Sequence, residues 1–193
     1  MTSAPPFRAE RLLVLATGSL GAAFLPYWLN WLRHAYPKLE VRVVLTRSAE
    51  RFVTRQSVAA ITGQKVPLDV WPQAPEPGSP HVEYAGWPDT VLVYPATYHF
   101  LSRFAAGLGD TPALLALQCT SAPIGIAPAL PPGATGSHAY RRNLAALKER
   151  PNVVVADPVP TLSAHTRERD ALGAAPLPTL IEQLERLRRE EER

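Results

Sequence analysis

Short, wholly apolar runs alternate along the chain with longer segments in which apolar positions recur every three or four residues. The short runs are typical of strands buried on both faces, and the longer segments are typical of amphipathic helices. Strands that alternate with helices favour a single α/β domain built on a doubly wound parallel sheet. The pattern predicts strands at 12–16, 40–45, 66–71, 90–94, 113–117, 123–127 and 153–156, of which 113–117 and 123–127 are two short strands or one strand and its continuation.

The same periodicity predicts the helices. They start at residue 19, run from 48 through 52 towards 61, and occupy 98–109, 136–149 and 177–193. Ser19 is a natural N-cap, and Pro26 should kink the first helix or delay its start. Residues 72–80 (PQAPEPGSP) are too rich in proline for anything but an exposed loop. Residues 1–9 are expected to be a flexible arm that precedes the domain at 10–193.

Composition narrows the classes of function. The 193 residues carry a formal net charge of +3, and the basic residues are scattered rather than gathered into a stripe with aromatic residues. We therefore expect no nucleic-acid partner. The single cysteine cannot form an intramolecular disulfide, and no apolar run approaches the roughly 20 residues that span a bilayer. With no secretory signal pattern before the first strand, the expected location is the cytoplasm, without a membrane partner.

Hydroxyl and glycine residues follow three of the predicted strands, at 17–19 (TGS), 46–48 (TRS) and 95–97 (PAT). The carboxyl ends of parallel strands share one edge of a sheet, and helix N-termini with hydroxyl and N–H groups bind phosphate. Each tripeptide alone is more simply a turn or a helix cap. Three on one edge favour a phosphorylated cofactor. The chain lacks G-x-G-x-x-G and G-x-x-x-x-G-K-[ST], so a mononucleotide is favoured over a dinucleotide.

Three stretches together resemble a known family. They are the first strand with its TGS, the segment PHVEYAGWPDTVLVYPATYHFLSRFAAGLGD and the segment PIGIAPALPPGATGSHAYRRNLAALKERPNVVVADP. In this order they resemble the homo-oligomeric flavin-containing cysteine decarboxylases, most closely the lantibiotic decarboxylases that act on peptide C-termini. The resemblance implies a Rossmann-like (flavodoxin-like) fold, FMN or FAD as cofactor, and a homo-oligomer that is a trimer or a dodecamer of trimers. Phe24, Trp28 and Trp31 are then candidate subunit contacts.

The resemblance also implies a reaction and a catalytic base. In the family, a flavin oxidises the β-carbon of a C-terminal cysteine, and carbon dioxide is then lost to leave an aminoenethiol. The family's base is a histidine that precedes a P-A-S-A-N-T motif. Here PATYHF occupies the place of the motif, and His81 stands 14 positions before Pro95 (95 − 81). His81 is therefore the expected catalytic base.

The resemblance also assigns the ligand contacts. The cofactor is expected to contact Thr17, Gly18, Ser19, Leu20, Thr46, Ser48, Pro95, Ala96, Thr97, Tyr98, His99 and Ala129. The C-terminal cysteine of the peptide is expected to contact His99, Leu130, Pro131, Arg141 and His165, with residues 157–175 as a substrate clamp and without a metal ion.

Two positions depart from the family pattern. His99 replaces the asparagine of the P-A-S-A-N-T motif, and Pro131 replaces the asparagine associated with the substrate carboxylate. Proline has neither an amide side chain nor an N–H. The missing hydrogen-bond donors are then expected from His99, or from Arg141 and Arg142, because an Arg guanidinium binds a carboxylate with two parallel bonds.

The residues of the predicted clamp help to distinguish the possible functions. The coenzyme A branch of the family uses a clamp cysteine to reduce the enethiol, and residues 157–170 contain none. We therefore expect the reaction to stop at the enethiol, in the maturation of a ribosomally made peptide such as a lanthipeptide. A 4′-phosphopantothenoylcysteine decarboxylase, a flavin prenyltransferase and a non-catalytic flavin-binding regulatory protein stay as alternatives. The replacements at His99 and Pro131 keep the last one open.

Overall fold

The computed structural model describes residues 4–74 and 77–191. Within these ranges the strands of the central sheet are β1 (Arg11–Ala16), β2 (Glu40–Leu45), β3 (Thr90–Thr97), β4 (Ile124–Ala129) and β5 (Val153–Val155). They lie in the order β2-β1-β3-β4-β5, and all neighbours are parallel. This is the strand order of the flavodoxin-like fold, so the predicted doubly wound α/β sheet is confirmed.

Two layers of helices cover the sheet. The helices are α1 (Leu25–Ala35), α2 (Arg55–Thr62), α3 (Pro80–Gly86), α4 (Tyr98–Ala105), α5 (Pro112–Cys119), α6 (His138–Lys148) and α7 (Leu177–Glu191). Helices α1, α2 and α7 pack on one face, and the other four pack on the opposite face. In β1, Leu12 and Val14 contact the first layer and Leu13 and Leu15 contact the second. Burial on both faces thus explains why β1 is apolar at every position from Leu12 to Ala16. None of the described helices is long and apolar enough to cross a bilayer.

A two-stranded antiparallel hairpin follows β5, formed by β6 (Val159–Thr161) and β7 (Ala171–Gly173). It lies within 157–175, the segment predicted to be a substrate clamp. The N–H of Leu130 donates to the carbonyl of Leu172 (2.8 Å), and the N–H of Leu172 donates to the carbonyl of Leu130 (3.2 Å). These bonds attach the hairpin to the residue after β4, at the carboxyl edge of the sheet.

Residues 113–117 lie inside α5, so the predicted strand there is wrong. The segment is apolar in every direction because most of α5 is buried, and periodicity alone does not separate such a helix from a buried strand. The start signal stands just before the apolar run. Oγ1 of Thr111 accepts from the N–H of Leu114 (3.4 Å), and Pro112 occupies the first turn of the helix.

The first two predicted helices are interrupted near their starts. Ser19 occupies the N-cap position of a 3₁₀ turn (Leu20–Phe24), as predicted, but its side chain makes no cap bond. Helix α1 then begins with Pro26 in its first turn, which confirms the predicted delay. After β2, the predicted helix is broken into a 3₁₀ turn (Ala49–Arg51) and α2, which is capped by the side chain of Thr54.

The connection from α2 to β3 holds one strand fewer and one helix more than predicted. Of residues 66–71, only Leu68 pairs, in a single bridge with the end of β2. The loop predicted for 72–80 stops one residue early because α3 has begun, and His81 therefore lies on a helix. Part of this predicted loop, residues 75–76, lies outside the described ranges.

The start of the chain packs on the domain as far as it is described. The hydroxyl of Tyr36 donates to the carbonyl of Pro5 (2.7 Å), and the ring of Phe7 meets the ring of Tyr36 edge to face at 5.4 Å. Pro5 and Phe7 thus contact the domain in this structure, and the flexible arm at residues 1–9 stays a prediction. Residues 1–3, and the last two residues of the predicted C-terminal helix, lie outside the described ranges.

Candidate functional site

The carboxyl ends of β1 and β3 lie side by side where the strand order reverses, and Thr17 joins them. Its Oγ1 donates to the carbonyl of Pro95 (2.8 Å) and accepts from the N–H of Thr97 (2.8 Å). The N–H of Thr17 donates to the same carbonyl (3.2 Å), and the residue is 1% exposed. Thr17, a predicted cofactor contact, thus uses its hydroxyl to hold the two strand ends together.

Gly18 packs directly against Ser48, which follows β2. A Cβ built on Gly18 would lie 2.4 Å from Cβ of Ser48 and 2.5 Å from its Oγ, which is too close for any other residue. The glycine is therefore needed for the close approach of two strand ends. Thr46 completes the group, because its Oγ1 lies 3.1 Å from Oγ of Ser48 and 3.4 Å from the carbonyl oxygen of Ala16.

Oγ of Ser19 is buried and has no hydrogen-bond partner among the described residues. A Cβ built on Gly21 would lie 3.4 Å from this oxygen and 3.6 Å from the ring of Pro95, so the hydroxyl lies in the crevice between β1 and β3. Leu20, beside it, is about half exposed. A buried hydroxyl is costly without a hydrogen bond, so a polar ligand group is its natural partner. Hydroxyl groups at the start of a helical turn are of the kind that bind the phosphate of a nucleotide such as FMN.

The predicted contacts at the ends of β3 and β4 differ in what they offer a ligand. Ala96 is fully buried, so only its backbone is open to one. Thr97 caps α4 with its side chain and pairs with Ala129 at the end of β4. The hydroxyl of Tyr98 lies 3.2 Å from Oγ of Ser137, which ties it to the start of α6. These residues continue the edge that holds Ser19.

His81 lies in the first turn of α3. It contacts Trp71, which stands two residues after Asp69, and the N–H of Asp69 donates to the carbonyl of Leu45 at the carboxyl end of β2. The ring of His81 packs against the indole of Trp71 at 65°, with 5.5 Å between the ring centroids. Nδ1 is buried and has no partner among the described residues. In the part of the chain that the structure describes, no hydrogen bond joins His81 to the hydroxyls of Ser19, Thr46 or Ser48. The predicted base and the predicted phosphate site therefore share an edge without direct contact.

Asp69 and Trp71, which sequence reasoning missed, attach this region to the start of α5. Oδ1 of Asp69 accepts from the N–H of Ala113 (2.8 Å), and Nε1–H of Trp71 donates to the carbonyl of Asp110 (2.9 Å). Burial raises the pKa of the Asp69 carboxyl, and the bond from Ala113 opposes the rise. Oδ2 of Asp69 has no partner in the described ranges. No local signal marked these side chains, because their partners lie about forty residues further along the chain.

His99 is exposed on α4 and lies near the ion pair of Arg103 and Asp110, whose charged atoms are 2.6 Å apart. The hydrogen bond from Arg103 lowers the pKa of the Asp110 carboxyl, and the charge of His99 lowers it further. Asp110 is also the residue whose carbonyl accepts from Trp71. His99 therefore stands on the side of α4 that faces the start of α5.

The other predicted substrate contacts lie near the hairpin and on α6. Leu130 is buried and meets the hairpin through its backbone, whereas Pro131 is exposed. The guanidinium of Arg141 donates to a backbone carbonyl just before its own helix (3.0 Å). His165 is exposed in the hairpin loop, where its N–H donates to Oγ of Ser163 (3.3 Å). Across the described ranges, no hydrogen bond joins Arg141 or His165 to Pro131.

Known proteins resemble this chain over almost its whole length. A model of the flavoprotein family matches residues 4–187. The cypemycin cysteine dehydrogenase (decarboxylating) of a Streptomyces species is 35% identical over 184 residues, 95% of this chain and 95% of that protein. The crystal structure of the cypemycin decarboxylase CypD matches with a TM-score of 0.80 and 32% identity, over 98% of this chain and 99% of that chain. The FMN-dependent cysteine decarboxylase SpaF matches with a TM-score of 0.74 and 26% identity, over 91% and 97%. The chain therefore belongs to the flavoprotein family, and its resemblance to the flavin-containing cysteine decarboxylases is confirmed.

Proposed function

We propose that this protein is an FMN-dependent peptidyl-cysteine decarboxylase. It oxidatively decarboxylates the C-terminal cysteine of a ribosomally made precursor peptide and leaves an aminoenethiol. The observation that carries the proposal is the 35% identity with the cypemycin enzyme, which extends over 95% of both chains.

The crevice between β1 and β3 is the proposed FMN site. The hydroxyls of Ser19, Thr46 and Ser48 would hold the phosphate, and the buried Oγ of Ser19 would gain the partner it lacks among the described residues. Thr17 keeps the two strand ends in place, and Gly18 lets the phosphate-binding loops approach each other. When bound, FMN supplies the two-electron oxidant for the reaction.

His81 is the proposed base that takes the proton of the substrate thiol. A base needs a ring nitrogen that no other residue engages, and Nδ1 is buried without a hydrogen-bond partner among the described residues. Histidine suits the task because it exchanges protons readily near neutral pH. The side chain lies in a half-buried position on the edge that also carries the proposed FMN site.

Carboxylate recognition must be built differently from the family pattern, because Pro131 has no donor. Of the three expected substitutes, Arg141 already donates to a backbone carbonyl just before its own helix, and Arg142 donates to Oδ1 of Asn143 (3.4 Å). His99 is exposed and has no hydrogen bond in the described ranges, so it is the donor we propose. The clamp carries no cysteine, which supports the enethiol as the final product rather than the reduced thiol of the coenzyme A branch.

The assembly and the location stay predictions. The exposed side chains of Leu20, Phe24 and Tyr27 lie beside the proposed FMN site and support a homo-oligomer in which a second copy covers them. Trp28 and Trp31, by contrast, are half-buried against the core. Trimer and dodecamer are both compatible with this surface, and the cytoplasm is the expected location.

The test uses purified protein and synthetic peptides that end in cysteine. We expect a flavin absorbance spectrum from the protein and a loss of about 46 Da from the peptide, which corresponds to two hydrogens plus carbon dioxide. A matched peptide with a C-terminal carboxamide should stay unchanged. Bound flavin without any mass loss would favour the non-catalytic flavoprotein, and turnover of free phosphopantothenoylcysteine alone would favour the coenzyme A alternative.

A further inference from the structure

Trp71 lies outside every function considered so far, although its surroundings are unusually well defined. It is a large aromatic side chain that is 40% exposed, and its indole N–H still has a fixed partner in the carbonyl of Asp110. The same indole packs against the ring of His81, with 5.5 Å between centroids. One side chain thus connects the start of α5 with the proposed base.

The backbone on the N-terminal side of Trp71 is anchored to two rigid elements. The N–H of Asp69 donates to the carbonyl of Leu45 at the end of β2 (2.8 Å), and the Asp69 carboxylate accepts from the first turn of α5 (2.8 Å). Helix α5 is in turn joined to the helix that carries His81, because Oγ1 of Thr120 donates to the carbonyl of Ala85 (2.9 Å). The indole therefore sits in a frame fixed by the sheet, α5 and α3.

His81, by contrast, is held weakly by its own surroundings. It occupies the first turn of a seven-residue helix whose N-cap, Ser79, makes no side-chain cap bond. Nδ1 has no partner among the described residues, so no hydrogen bond at that nitrogen fixes the ring. The contact with Trp71 is what orients the imidazole.

We infer that Trp71 is a positioning residue for His81 in the peptidyl-cysteine decarboxylation. The inference rests on the proposed function, because it requires that His81 be the base. Trp71 acts through the angle and position of the imidazole, and its indole N–H keeps it in place on the carbonyl of Asp110. Its loss should lower kcat on the order of tenfold or more, because misplacing a catalytic group by about 1 Å is enough for such an effect. The KM for the peptide should change little.

The experiment measures the turnover of W71F, W71L and H81N, alone and in combination, and uses W87L as the control. Trp87 is a fair control because it lies at the end of the same helix, where it packs under the guanidinium of Arg42 at 4.0 Å. W71L should lower kcat, W71F should retain part of it because the ring contact survives, and W87L should leave it unchanged. In the H81N background, W71L should cause no further loss, because its effect passes through His81.

The outcomes distinguish the failure of this inference from the failure of the proposed function. Absence of turnover in the wild-type protein would overturn the proposed function, whereas wild-type turnover with unchanged turnover in H81N would remove His81 as the base and, with it, the role of Trp71. Loss of turnover in H81N together with normal turnover in W71L, or equal losses from W71L with and without His81, would overturn the role of Trp71 alone. A second readout uses flavin-free protein: the ring protons of His81 should show a ring-current shift in NMR that W71L removes and W87L keeps. A shift that persists in W71L would also overturn the inference.

Discussion

The two edges of the central sheet differ in whether their buried polar groups have partners within the protein. At the amino edge, Glu185 is buried, and its carboxylate pairs with the guanidinium of Arg8 at 2.9 Å. Arg188 donates to the carbonyl of Asp89 (3.1 Å) and to the side chain of Thr90, although its Nε has no partner among the described residues. This edge satisfies most of its charges internally, and it joins the start of the chain to α7.

The carboxyl edge leaves buried polar atoms open instead. Oγ of Ser19, Nδ1 of His81 and Oδ2 of Asp69 all lack partners in the described ranges. Unsatisfied buried groups are rare in folded proteins and call for an explanation such as an absent ligand. The difference supports the proposal that the carboxyl edge holds the cofactor and the substrate, whereas the ion pairs of the amino edge join the start of the chain to α7.

The largest expected effect belongs to His81 on the carboxyl edge. H81N should lower kcat for a cysteine-terminated peptide by about 10²-fold or more, because general bases contribute about 10² to 10⁴. Flavin content and Tm should stay near the wild-type values. The matched control is H34N, since His34 is exposed on α1. Wild-type turnover in H81N would contradict the proposal that the carboxyl edge carries the catalytic base.

A buried charge on the amino edge should affect stability without affecting chemistry. E185Q should lower the free energy of unfolding by about 1 to 2 kcal/mol, because it removes the negative charge of a buried carboxylate that accepts two hydrogen bonds from Arg8. Urea unfolding measures this, and turnover per flavin should be unchanged. E182Q, on the exposed face of the same helix, should have little effect. A drop in turnover with unchanged stability would reverse the assignment of the two edges.

Gly18 tests the packing of the carboxyl edge. G18A places a Cβ within 2.4 Å of Ser48 and forces the loops after β1 and β2 apart, at a cost of about 1 to 3 kcal/mol. We expect loss of bound flavin, measured by absorbance after gel filtration. Nothing lies within 4 Å of a Cβ built on Gly86, so G86A is the control and should retain flavin. Full flavin content in G18A would contradict the placement of the phosphate site.

The smallest expected effect is on the pH dependence of stability, and it again distinguishes the amino edge from the carboxyl edge. Burial, and then the charge of Glu185, raise the pKa of Tyr36 to about 12. The folded state therefore keeps this proton more tightly than the unfolded state, so its contribution to stability is full below pH ~10 and is lost as the pH rises towards 12. The Tm of Y36F should fall less steeply than that of the wild type over this window. Parallel Tm curves would argue against the raised pKa.

Local signals explain which parts of the molecule were predictable. The strand β1 and the turn after it could be predicted from neighbouring residues. The continuous apolar run indicates burial on both faces, and the change to small and hydroxyl residues marks the end of the strand. Helix α5 could not, because a helix buried on most sides has the same apolar sequence as a buried strand. The hydrogen bond from the indole N–H of Trp71 to the carbonyl of Asp110 could not be predicted, because it joins residues 39 positions apart. The position of His81 was predicted from family spacing, but its place on a helix was not.

The most direct measurement follows the carboxyl carbon of the substrate. A synthetic peptide whose terminal cysteine carries carbon-13 in the carboxyl group is incubated with the flavin-loaded protein and analysed by mass spectrometry. The account predicts a product that has lost two hydrogens and the labelled carbon, with the label recovered as carbon dioxide. A product that keeps the label, or a peptide that stays unchanged in the presence of bound flavin, would contradict the assignment of this protein as a peptidyl-cysteine decarboxylase.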